Sequence, residues 1–141
     1  MRKIVLALSL AFAAVTGIAL PGTALAIEYE IDDGVLGTPP SDEVLQCDVP
    51  RPAVYVCFEP SGDRWWVLDS DSDGKSAIVD WENFRGGSLY RNGRCVNSHG
   101  SGTWASCNKN YYEDSTLNGR QGVWNRSVGS WPDYYGWFKY M

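Results

Sequence analysis

Nowhere between Ala53 and Tyr140 does an apolar stripe hold helical spacing. Gly, Asn, Asp and Ser instead cut the chain roughly every 8 to 12 residues, the rhythm of a β-sandwich or barrel. Ala53 to Phe58 is a continuous apolar run suited to a central strand, and Pro60 to Asp63 turns it into a second strand, Arg64 to Leu68. Asp69 to Gly74 is the next turn, with Asp73-Gly74 as the tip of a hairpin. In Ser76 to Glu82, Ala77, Val79 and Trp81 share one face while Ser76, Ile78, Asp80 and Glu82 share the other, the period of two of a half-buried strand. Leu89 to Val96 carries Asn92-Gly93 at its centre and reads as a hairpin closed by a type I′ turn. Thr103 to Cys107, Gln121 to Asn125 and Tyr134 to Tyr140 complete the strand set. The expected fold is all-β, a small antiparallel β-sandwich of Ig-like or Greek-key type.

The start of the chain has another design. Arg2 and Lys3 precede an uncharged run from Ile4 to Leu20, Pro21-Gly22 breaks it, and Ala24-Leu25-Ala26 offers a small-x-small cleavage pattern. That is the layout of a secretory signal peptide, residues 1–26. The run of 17 residues falls short of the ~20 that span a bilayer. No Cys follows the cut, which disfavours a lipid anchor. The mature chain is expected to be secreted, without membrane insertion, as a monomer.

Residues 27–44 form an acidic leader and residues 45–141 one β-domain. From Ile27 to Val49 there are seven acids (Glu28, Glu30, Asp32, Asp33, Asp42, Glu43, Asp48) and no base. Such a segment buries little apolar surface to offset its ordering entropy. It reads as a flexible tail, with a short edge strand at Glu28 to Ile31 as the alternative. Residues 50–141 hold ten bases and ten acids, and a neutral body behind an acidic leader is a poor match for a phosphate backbone, so nucleic acid is not expected as a partner.

Cys47, Cys57, Cys95 and Cys107 permit three pairings. The local pairs, Cys47 with Cys57 and Cys95 with Cys107 across the Ser98 to Gly102 turn, are preferred, and an exported domain this small commonly needs such staples. The spacing lacks the C-x-x-C of zinc sites.

Asp69, Asp71 and Asp73, followed by Gly74, space alternate carboxylates like the start of a calcium loop, with Asp80 at position twelve. If Ser76 to Glu82 is extended, Asp80 lies too far along to close the shell. A weaker calcium site made from the three acids is retained, and no other cofactor is expected.

The body holds all seven Trp. Trp65 and Trp66 are neighbours, so on a strand one of them faces away from the core. In Tyr134 to Tyr140, Tyr134, Phe138 and Tyr140 share one face and Tyr135, Trp137 and Lys139 the other. A sandwich buries one face of each sheet, so some rings should be exposed or covered by a loop or the leader. Trp66, Tyr135 and Trp137 are the expected ligand-binding residues. No G-x-S-x-G, H-E-x-x-H or phosphate-cradling loop is present, and His99 is the sole histidine, so a non-catalytic protein is expected.

The elements Phe58-x-Pro60-x-Gly62-Asp63, Asp69-x-x-x-Asp73-Gly74-x-Ser76-Ala77, Trp81, Arg94-Cys95-x-Asn97-x-x-Gly100-x-Gly102 and Cys107-Asn108 resemble a group of small secreted actinobacterial β-domain proteins of unassigned function. That resemblance implies a compact β-domain with a Cys95–Cys107 bridge. Glu82-Asn-Phe84-Arg-Gly86 and Tyr112 to Gly119 more weakly resemble Greek-key motifs of βγ-crystallin-like domains, which include secreted metalloprotease inhibitors. The function expected is an extracellular binding module whose exposed aromatics meet a protein or glycan. Inhibition of an extracellular protease and a calcium-stabilised structural or surface role are the alternatives.

Overall fold

The computed structural model describes residues 26–140; the expected signal peptide lies outside the described residues except for its last position. Ten strands follow in chain order: β1 (Tyr29–Asp33), β2 (Val35–Leu36), β3 (Gln46–Cys47), β4 (Val54–Glu59), β5 (Arg64–Asp69), β6 (Ser76–Arg85), β7 (Ser88–Asn97), β8 (Trp104–Asn108), β9 (Ser115–Trp124) and β10 (Asp133–Lys139). They make two five-stranded sheets, ordered β1-β7-β6-β9-β10 and β2-β8-β5-β4-β3. Every pairing is antiparallel except β1 on β7, which is parallel. The fold is the expected all-β sandwich with both local disulfides, Cys47–Cys57 and Cys95–Cys107.

The alternation in β6 sends Ala77, Val79 and Trp81 inward, where they meet Val54, Val56, Phe58, Trp65 and Val67 from the second sheet. Trp65 anchors this core: its ring lies 5.0 Å from Phe58 and 4.8 Å, edge-on, from Tyr140, and its indole N–H donates to the Tyr111 hydroxyl at 2.9 Å. That bond satisfies the one polar group such a ring brings inside.

Two expected turns are placed differently. β7 runs straight through Asn92-Gly93, and the hairpin that joins it to β6 closes at Gly86-Gly87, with φ of 57° and 80°. Two glycines supply the positive φ angles that the tight turn needs. Gly93 is needed for another reason: a Cβ there would stand 2.4 Å from the Glu30 carbonyl oxygen and 2.7 Å from the Trp81 ring. Asp73-Gly74 turns the chain, but β5 and β6 do not pair. They belong to different sheets, so this turn is a crossover between layers. Cys95 and Cys107 likewise bridge sheet to sheet and do not lie across a hairpin.

The leader is not a free tail over its first part. Tyr29–Asp33 pairs with β7 from Asn92 to Val96. Its acids meet the cations of the body: Glu30 takes a two-pronged contact from Arg91 at 2.8 and 2.9 Å and a third from Lys109 at 2.8 Å. Lys109 is buried, also contacts Asp32, and lies over the Trp81 ring. These charge-assisted contacts offset the ordering entropy that a charge count of the leader alone leaves unopposed. The hydrogen bonds from Arg91, with those of Lys109, hold the Glu30 carboxyl down from 4.5 to about 2. A lowered native pKa contributes stability above the unfolded value that is lost as pH falls through the native one. The domain should therefore weaken between pH 4.5 and about 2. Melting curves across that range should show a shallower acid slope in Glu30→Gln, and an identical slope in the two proteins would discard the assignment.

Candidate functional site

The outward face of the first sheet carries the densest chemistry. One row of directly paired residues crosses all five strands: Ile31, Arg94, Asp80, Arg120 and Trp137. Asp80 stands at its centre because it alternates with the inward Val79 and Trp81. Arg94 grips it with two bonds, Nε to Oδ1 at 2.6 Å and Nη2 to Oδ2 at 3.1 Å. Both residues are buried. Arg94 also donates to the Tyr134 hydroxyl at 2.6 Å, and that hydroxyl donates to Asp80.

Arg120 sits on the other side of Asp80 and is held differently. Its guanidinium stacks 3.6 Å from the Tyr134 ring centre and 4.7 Å from that of Trp137. It reaches Asp80 only as an ion pair at 3.6 Å, and its buried Nε has no hydrogen-bond partner. Arg94 thus has its Nε and Nη2 taken by protein groups, while Arg120 is oriented by rings and meets Asp80 only at ion-pair distance.

Aromatic rings surround this charged centre. Arg94 lies under Trp124 at 4.6 Å and near Tyr29 at 5.8 Å. An open cleft of about 210 Å³ is lined by Arg94, Trp124, Gly129, Ser130, Trp131 and Pro132. Trp131 is 92% exposed and Trp137 47%. Burial and then the Asp80 contact push the Tyr134 hydroxyl up to about 12. Burial, with the Asp80 charge behind it, also raises Tyr29. For Arg94, burial opposes the charge, but the hydrogen bonds and charge of Asp80 outweigh it and the pKa rises. Both hydroxyls stay protonated and Arg94 stays charged at neutral pH.

The three expected ligand-binding residues part company. Trp137 belongs to this face. Trp66 does not: it is 4% exposed, its indole N–H donates to Glu59 at 2.9 Å, and the leader at Gly37 lies against its ring. Tyr135 packs against the core under Arg51. The reason is a β-bulge. Between Tyr134 and Trp137 three residue steps on β10 oppose two on β9, Gly122 to Arg120. The extra residue reverses the alternation, so Tyr134 joins Trp137 on the outer face and Tyr135 leaves it. Gly136, isolated within an aromatic strand, is the sequence cue for that bulge. Arg94, Arg120, Trp124 and Trp131 complete the face and were outside the expected set.

Asp69, Asp71 and Asp73 lie on the crossover between β5 and β6. The buried Asp69 accepts the Asp71 backbone N–H at 3.2 Å, and Asp73 accepts that of Lys75 at 2.9 Å. Burial, and then the nearby Asp73 and Asp71 charges, raise the Asp69 pKa against the opposing backbone bond. Among the described residues no three acidic, histidine or cysteine groups converge to hold a metal ion, and Asp80 is turned to Arg94. His99 Nε2–H donates to the Gly34 carbonyl oxygen at 2.7 Å, tying the connection between β1 and β2.

The chain matches no protein-family model, no curated protein and no solved structure. Among the described residues no helix is long and apolar enough to cross a membrane.

Proposed function

We propose that the protein is a secreted, non-catalytic binding module whose extracellular ligand docks on the outer face of the first sheet. The observation that carries this reading is the pair of solvent-facing tryptophans, Trp131 and Trp137, beside a fixed cluster of buried charges. Rings left in water around an ordered polar centre are the arrangement of a recognition surface. The basic start, uncharged run and cleavage pattern of the first 26 residues support export. Both disulfides need an oxidising compartment to persist.

Binding of the mature chain to a glycan array and to proteins from culture medium tests the reading. Trp131→Ala with Trp137→Ala should cost about 2 kcal/mol or more, roughly 30-fold in Kd, as loss of anchor residues does. Trp131→Ala alone should hardly move the melting temperature, because its ring is 92% exposed. Unchanged binding by the double variant would remove this face from the proposal.

A further inference from the structure

We propose that this face binds acidic glycans, taking the carboxylate of a uronic acid unit on the Arg120 guanidinium and stacking sugar rings on Trp137 and Trp131. The inference rests on the binding-module reading and adds the class of ligand.

Arg120 carries the argument. A guanidinium presents a planar fork of N–H donors that matches a carboxylate with two parallel bonds. In Arg94 that fork is already filled by Asp80 and Tyr134. In Arg120 the Nε is buried, the guanidinium carbon lies 3.6 and 4.7 Å from the Tyr134 and Trp137 ring centres, and the nearest acid is an ion-pair partner 3.6 Å from Nη2, so the terminal end of the fork is the part open to an anion. The stacking fixes the fork in advance, so little side-chain entropy is lost when an anion arrives. Charge agrees: at the centre of the row two guanidiniums face one carboxylate, a locally positive spot on a chain of net charge −5.

Geometry separates a glycan from an acidic protein segment. Protein–protein interfaces are enriched in Arg and aromatic rings but depleted of Asp, whereas the centre of this face holds the buried Asp80 between two arginines. A peptide added as a strand needs a free strand edge, and Arg120 lies on β9, one strand in from the edge strand β10. A sugar ring suits the place, with an apolar face for an exposed indole and hydroxyls for scattered polar groups. Four strand spacings make the row ~19 Å long, room for several units of a linear polymer.

The test uses the mature chain and affinity electrophoresis through gels containing polygalacturonate, alginate, a carboxyl-reduced polygalacturonate, a neutral β-glucan or polyglutamate. Retardation by a uronate polymer is expected, weakened at least tenfold by carboxyl reduction and by raised salt. Arg120→Gln should lose the same tenfold while melting normally. Arg120→Lys keeps the charge without the fork and should recover only part. Equal binding of the carboxyl-reduced polymer or the β-glucan would overturn acid recognition and leave the binding-module reading standing. Equal retardation by polyglutamate would overturn the glycan assignment in favour of an acidic protein partner. Retardation by no polymer would overturn the inference, with the Trp131 and Trp137 variants on the array deciding the wider reading separately.

Discussion

Replacing Asp80 by Ala is expected to destabilise the domain by about 3–5 kcal/mol, because it leaves Arg94 as a buried cation without its partner. Asp80 and Arg94 are buried, with side-chain exposures of 7% and 9%, so water cannot replace the lost carboxylate. Two further groups lose a partner at once, since the Tyr134 hydroxyl donates to Asp80 and Arg120 leans on it. For a domain of this size the loss corresponds to a fall of at least about 10 °C in melting temperature. The companion variant Asp80→Ala with Arg94→Met removes the stranded charge and should recover much of the loss. If Asp80→Ala melts within about 2 °C of the parent, the row is not the fixed centre described above. The pair is therefore better understood as a device for orientation than as a source of net stability. It holds Arg94 and Tyr134 in one arrangement and leaves Arg120 with a side to present to solvent.

How much of this could be read from the chain differs from residue to residue. The inward set of β6 was legible because a period of two is local and the residues Ala77, Val79 and Trp81 are plainly apolar. Both disulfides were legible for a similar reason, since short separations favour local closure. What was not legible depended on partners distant in sequence. β1 looked like a tail because its acids have no neighbouring base, and Lys109 and Arg91 lie 79 and 61 residues further on. Asn92-Gly93 carried a strong hairpin signal, yet that glycine serves the approach of the Glu30 backbone and the Trp81 ring. Turn chemistry states what a backbone can do, and the packing of another strand decides which use is made of it. The outer face of the first sheet was half legible. Trp137 was placed correctly as an outward ring, and one inserted residue at the β10 bulge exchanged Tyr135 for Tyr134.

The second large effect should come from the disulfide between the layers. Changing Cys95 and Cys107 together to Ala is expected to cost about 2–5 kcal/mol, the range for a native bridge in a small disulfide-stapled domain. The chain-entropy share is nearly the same for both bridges, because their separations are 12 and 10 residues, worth roughly 3 kcal/mol each by loop length. They differ in what they join. Cys47 and Cys57 face each other within one sheet, on the edge pair β3–β4. Cys95 and Cys107 join opposite sheets, are buried, and belong to the core cluster with Trp65 and Trp81. Their replacement removes core volume as well as a crosslink, and a cavity adds its own cost. Urea unfolding of the two paired variants measures the difference directly. Cys95→Ala with Cys107→Ala should unfold at the lower denaturant concentration, and equal midpoints would mean that the bridge between the sheets adds nothing beyond closing its loop.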